Sequence, residues 1–341
     1  MISWGHPGLR VMLTGGAAAL MNCACLDMRA RVSGMLKLAL RRAAALIPTL
    51  LIIVTVSFAI IRLAPGGPFD QEQGVSPAVR ANLERLYGLD RPLPAQYLSY
   101  LRGLARGDFG PSLRERDFTV SELIARGLPL SATLGSCAIA LALLTGIPAG
   151  IAAALWRRPG TDLAIAVLGA LGVALPSFVI GPLLALAFGI HLRWLPVAGW
   201  QPGAARYLVL PVVTLALPLA VALARLTRAS LLEVLRAPFV LSARARGLGA
   251  TRVLWHHALR PALLPVVSYL GPAIAYLVTG SLVVEVVFGL PGTGRYLVQG
   301  AIDRDYPLIM GMVIVYGVLT LLLNLFADLV CGWLDAGTRD A

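Results

Sequence analysis

The sequence predicts an all-α membrane protein with six transmembrane helices. Of its 341 residues, 58% are apolar and 13% charged, where a soluble domain carries about 25% charged residues. Six stretches, 43–61, 128–155, 163–190, 208–224, 261–284 and 307–327, contain no Asp, Glu, Lys or Arg, and together they hold 137 residues. They are 17 to 28 residues long, and a helix needs about 20 apolar residues to cross the hydrocarbon core. None shows the polar face at 3.6-residue spacing that a surface helix of a soluble protein would carry.

The first span, 43–61, follows the basic flank Lys37, Arg41 and Arg42. The others are placed at 128–155, 163–190, 208–227, 261–285 and 307–330. Arginine excess marks the cytoplasmic flanks of spans. Arg157 and Arg158 lie between spans two and three, and seven arginines against the single Glu233 lie between the charge-free stretches 208–224 and 261–284. The intervening loops hold Arg193 and Arg206, or Arg295 and Arg304 balanced by Glu285, Asp303 and Asp305. Both termini are therefore expected in the cytoplasm. The net charge of +12 then reads as a topology signal. A nucleic-acid surface, the other common meaning of a basic balance, would need a soluble face to present it.

Residues 1–34 lack the basic start, apolar core and small-residue cleavage site of a signal peptide. They are read as an unstructured extension, or as a misassigned start ahead of Met35, before a permease domain at 35–341. Four cysteines and four histidines show no repeated spacing, which indicates neither a zinc site nor a disulfide framework.

Within the extracytoplasmic loop 62–127, Ser76 and Pro77 form a helix-start signal that Gly88 closes, and Pro94 opens a second helix with Tyr97, Leu98, Leu101 and Ala105 on one face. Such helices lie on the membrane surface or bind an extracytoplasmic partner. The stretch from Glu233 to Pro265 carries the most information. Pro238 starts a helix that Gly247 stops in the left-handed conformation, and Thr251 is expected to cap a second helix running to Arg260 before Pro261 opens span five. Small residues at Ala243, Ala245, Gly247 and Gly249 let this helix-turn-helix approach another surface closely, with arginines around it.

These residues resemble the permease subunits of ATP-binding-cassette importers, which carry a cytoplasmic loop of small residues, a glycine and a proline re-entering the membrane. Ala243, Gly247, Leu259 and Pro265 match that loop, while Leu241 or Ser242 replaces the family's leading acid. ARARGL at 243–248 and HALRPALLP at 257–265 resemble the dipeptide/oligopeptide branch. So do MLKLALRRAAALIPTL at 35–50, RLAPGGPFD at 62–70, GDFGPSL at 107–113 and TGSLVVEVVFGLPGTGRYLVQGAIDRDYPL at 279–308, as in the oligopeptide-transport permease B subunit. Asp335-Ala336 departs from the Asp-Pro of that pattern. The resemblance implies the type I importer permease fold with a cytoplasmic coupling helix inside 233–261.

It also implies a non-catalytic subunit that imports oligopeptides or dipeptides. The partners would be a homologous second permease subunit, two cytoplasmic ATPase subunits that bind ATP and Mg, and an extracytoplasmic solute-binding protein that delivers the peptide. This chain would bind no cofactor, no metal and no nucleic acid. A P-loop needs a lysine beside its glycine-rich turn, and the single lysine here is Lys37. The ATPase-docking residues would be Ala243, Arg244, Ala245, Arg246, Gly247, Leu248, Gly249, His257, Leu259 and Pro265. Polar residues inside the spans, Ser131, Thr133, Ser177 and Thr214, are candidates for the translocation pathway. The alternatives are an ion-coupled carrier, which would place ionisable residues in the bundle, and an importer of the same family for nickel chelates or small glycoconjugates.

Overall fold

A computed structural model describes residues 44–63, 90–115, 117–156 and 175–336, without the side chains at 272, 274–276, 278–280, 328 and 330–336. The 1–34 extension, the basic flank of the first span, the candidate helix after Pro77, Arg157, Arg158 and residues 163–174 lie outside the described residues. The regular structure among the described residues is helical, apart from an isolated antiparallel bridge between Pro111 and Thr119. In chain order the helices are α1 (Ala44–Leu63), α2 (Leu93–Leu104), α3 (Val120–Leu155) and α4 (Ser177–Leu184), which continues as a π-helical turn to His191. Then come α5 (Arg206–Val234), α6 (Pro238–Ala245), α7 (Ala250–Val253), α8 (Leu259–Val287), α9 (Thr293–Ile302) and α10 (Tyr306–Ala336). Helices α1, α3, α5 and the Tyr306–Ala327 part of α10 are long and apolar enough to cross a membrane.

Two spans begin or break differently from the sequence reading, and α5 runs past the expected end at 227 to Val234. Helix α3 begins eight residues before the charge-free stretch at 128, so the loop assigned to 62–127 ends at Thr119. Thr119 and Glu122 form a capping box: Glu122 N–H donates to the Thr119 hydroxyl (3.3 Å) and Thr119 N–H to the Glu122 carboxylate (2.8 Å). Each satisfies a backbone donor that the first helical turn leaves open. A charge therefore marks where a span leaves the hydrocarbon, not where its helix ends. The second difference is in the third span, which is not one helix through 163–190. Residues 175 and 176 are not helical, and the apolar piece that follows, Ser177–His191, falls below crossing length. Pro176 is extended (φ −63°, ψ 150°) and disfavours helix at the residue before it.

Helices α3, α5 and α8 share the main core, with Leu134, Ala138, Ala142, Leu219, Leu223, Val266 and Leu277 buried among them. The tightest approach lies between α3 and α5. A Cβ on Gly146 would stand 2.5 Å from the Ala220 carbonyl oxygen, and one on Gly150 2.6 Å from that of Ala224. The GxxxG pair thus joins two helices of the same chain through backbone-to-backbone packing. Replacing both glycines with Ala is expected to push α3 off α5 and destabilise the fold by about 1–3 kcal/mol, the usual range for overpacking. A lower thermal unfolding temperature in detergent checks this, with Gly135→Ala, where a Cβ meets nothing within 4 Å, as the neutral control.

Candidate functional site

Two places combine chemistry with defined geometry: the α6–α7 turn, and a buried polar node at the start of α9. Helix α6 starts on Pro238, whose fixed φ suits a first turn, and ends on Gly247 at φ +80°. Leu248 N–H donates to Ala243 O (3.3 Å) and Gly247 N–H to Arg244 O (2.9 Å). This is the Schellman pairing, which consumes two carbonyls that the helix end would leave open. Val240 and Ala243 are fully buried and pack with Leu231, Leu235, Ala154 and Val253, so α6 rests on the ends of α3 and α5.

This corrects the reading of Ala243 as an outward small residue. Arg244, Ala245, Arg246, Gly247 and Gly249 are exposed, Leu248, His257 and Leu259 are half-buried, and Pro265 lies exposed within α8. Phe239, Leu241 and Trp255 are about half exposed on the same unit, at 48%, 52% and 59%. The expected cap on Thr251 is also corrected: Gly249 occupies the cap position, and Thr251 sits in the first turn of α7. Nor does the helix break at Pro261. The π-helical turn Leu254–Ala258 leads directly into α8, with Leu259 N–H bonded to Leu254 O. Extra residues in a π turn are one way a helix accommodates a nearby proline without breaking.

At the start of α9 the first backbone donors are capped by side chains from other helices. Thr293 N–H donates to the Ser131 hydroxyl of α3 at 2.9 Å, and Gly294 N–H to the Glu285 carboxylate of α8 at 2.7 Å. The Ser131 and Ser281 hydroxyls and the Arg295 N–H lie around that carboxylate, whose Oε1 is buried without a hydrogen-bond partner. Thr293 Oγ1 donates to Ser131 (3.0 Å) and lies 3.1 Å from the Tyr316 hydroxyl of α10. Glu285 is fully buried, and its side chain places an acceptor oxygen at the N-terminus of α9, where the first turn leaves backbone donors open. Gly292 and Gly294 permit the contact, since a Cβ on either would clash with Glu285 or the backbone at Leu282.

A second buried acid works the same way. Asp305 accepts from Leu308 N–H at the start of α10 (3.2 Å), from Leu113 N–H (3.0 Å) and from the Ser112 hydroxyl. It thereby fastens the 112–114 segment to α10. Sequence reasoning counted Glu285 and Asp305 as loop charges and missed both roles. The available signal was an acid at the edge of an apolar run followed by Gly-Thr-Gly at a helix start.

Beside the Glu285 node lies a cavity of about 220 Å³, walled by α3, α8 and α10 and lined by Ser131, Ser136, Ser281, Thr293 and Tyr316 together with leucines. Of the four pathway candidates, Ser131 lines it. Thr133 is exposed and bonds to Pro129 O of its own helix, Thr214 is buried and bonds to Leu210 O of its own helix, and Ser177 is half-buried at the start of α4. The four do not converge. Among the described residues no three His, Cys, Asp or Glu side chains group as metal ligands do.

Residues 146–340 match the family described as binding-protein-dependent transport system inner membrane component, and residues 35–132 match its N-terminal region. The chain belongs to that family. It is 47% identical over 305 residues to the oligopeptide transport system permease protein OppB of Salmonella typhimurium, covering 89% of this chain and 100% of OppB. It is 40% identical over 297 residues to the dipeptide transport system permease protein DppB of Bacillus subtilis, covering 87% and 96%. It is 37% identical over 310 residues to the glutathione transport system permease protein GsiC of Salmonella choleraesuis, covering 89% and 99%. As a member of that family the chain is a multi-pass membrane permease of an ATP-binding-cassette importer.

If Glu285 caps α9, Glu285→Leu leaves buried N–H groups without acceptors, at about 1–3 kcal/mol for each. The expected result is faster amide hydrogen exchange across 290–302, with the α3–α5 contact still protected. Glu285→Gln, which keeps an acceptor oxygen, should exchange at an intermediate rate.

Proposed function

We propose that the chain imports peptides delivered by an extracytoplasmic binding protein, with the energy supplied by ATP hydrolysis on separate subunits. The likeness to permeases named for oligopeptide, dipeptide and glutathione transport supports a peptide substrate, and the identity to the oligopeptide permease favours peptides of several residues. The chain works beside a second permease subunit as six spans with both termini in the cytoplasm. The α6–α7 unit is the coupling element that docks on an ATPase subunit. ATP and Mg are bound there, not on this chain.

The observation that carries the docking assignment is the surface of α6 and α7. Phe239 and Leu241 of α6 and Trp255 of the π turn after α7 stand out among Arg244, Arg246 and Arg252, while Val240 and Ala243 of α6 and Val253 of α7 tie the unit to the core. Exposed aromatic and arginine side chains on a rigid base are the residue types that anchor protein interfaces. Displacement of α6 is thereby passed to α3 and α5 as a rigid-body movement. Ser131, beside the 220 Å³ cavity, is the pathway candidate that this reading retains.

The test is ATP-dependent, binding-protein-dependent uptake of labelled peptides into proteoliposomes that hold the complete complex. Gly247→Asp is expected to insert and assemble yet lose at least about tenfold in uptake rate, because the φ of +80° resists a side chain and the new acid enters a basic surface. Undiminished uptake by that variant would remove the coupling assignment. ATP-independent uptake driven by an ion gradient would favour a carrier instead.

A further inference from the structure

At the opposite end of α1 from its basic flank, a cavity of about 280 Å³ opens between α1, α2, the 108–113 segment and the start of α10. Its level follows from the chain. The charge-free stretch of α1 ends at Ile61, so Arg62 is the first charge beyond it, and that of α10 begins at Pro307, just after Tyr306. Both spans leave the hydrocarbon at the floor of this cavity, which puts its walls at the depth of lipid headgroups. The bonds across the wall agree. The Tyr97 hydroxyl of α2 lies 2.6 Å from Thr55 Oγ1 and its ring packs edge-on against Phe58, holding α2 alongside the last turns of α1. Tyrosines collect at that depth in membrane proteins.

The lining is chosen for an anion. Arg62 and Arg91 both face the cavity, against one acid, Asp108, whose Oδ1 already accepts from Gly110 N–H at 2.9 Å. Arg62 is half-buried, with its guanidinium 5.5 Å from the centre of the Phe58 ring. The Tyr100 hydroxyl also lines the cavity, is buried and has no hydrogen-bond partner. Ile60, Leu63, Leu93 and Leu98 on the same two helices are exposed, an apolar surface suited to acyl chains. We propose that this cavity binds the phosphodiester headgroup of a membrane phospholipid, with Arg62 and Arg91 on the phosphate, the Tyr100 hydroxyl donating to one of its oxygens, and the acyl chains along α1 and α2.

The test is native mass spectrometry of the full-length chain, extracted in mild detergent with its accompanying subunits, delipidated, and titrated with phosphatidylglycerol. One lipid should bind more tightly than the rest. R62A/R91A should weaken it about thirtyfold, as expected for two arginines at a lipid surface. Diacylglycerol with the same acyl chains should not be retained. Y100F, which removes only a hydroxyl and leaves the fold untouched, should weaken binding severalfold and separates loss of the site from loss of the structure. Equal retention by the wild type, R62A/R91A and Y100F overturns the proposal, as does retention of diacylglycerol as strong as that of phosphatidylglycerol. Displacement of the lipid by equimolar glycerophosphoglycerol would assign the cavity to a soluble phosphodiester and overturn the lipid assignment.

Discussion

A backbone donor or acceptor buried in an apolar bundle has no water to turn to, and the end of this molecule that holds α9 and α10 is built around that constraint. Two helices start there, each with open N–H groups, and each is capped by an acid that is wholly buried. Glu285 reaches α9 from α8 and Asp305 caps α10 from within its own turn. A buried carboxylate without partners is strongly destabilising. Here each acid supplies an acceptor to donors that a helix start leaves open, while Oε1 of Glu285 is left buried without a partner. The reach of these side chains then decides the geometry around them. Glu285 and Ser131 bring α8 and α3 to one point, Tyr316 adds α10, and Gly292 and Gly294 leave no room for a side chain between them.

The other end is organised by contact rather than by polar bonds. Gly146 and Gly150 let α3 lie against the backbone of α5, and the helix ends that this contact aligns form the platform for Val240 and Ala243 of α6. The coupling reading depends on that platform. A short helix of eight residues would have little stability alone, since isolated helices below about 12–15 residues are marginal in water. Pro238 in its first turn, the Schellman pairing at its end and its buried face hold it in place.

Much of this was legible from residue order. Pro238 and Gly247 bracket α6 because one has a fixed φ and the other accepts a positive one, and both properties belong to the residue itself. The apolar runs located the long helices for the same reason. Boundaries were less legible. Glu122 and Arg126 look like loop residues in a hydropathy reading, yet they lie inside α3, because a charge at a helix end can reach the interface and a capping box rewards it. Pro176, a proline within the apolar run and so a candidate kink, broke the helix there, whereas Pro261 was carried through with the help of a π turn. Proline has the same local chemistry at both sites, and the neighbouring backbone decided the outcome.

The sequence by itself determined that the chain is a helical membrane protein and where its long apolar helices run, though not where each of them begins and ends. Its motifs were also enough to point to the transporter family, since periodicity, caps and charge spacing act over a few residues. Only the tertiary structure decided which side chains meet. Glu285 and Ser131 are separated by more than 150 positions, and Ser112 and Asp305 by 193, so no local pattern announces either pair. Ala243 turned inward rather than toward a partner because the ends of α3 and α5 lie beneath it. The cavity with Arg62 and Arg91 exists because α2 folds back along α1 and meets the first turn of α10.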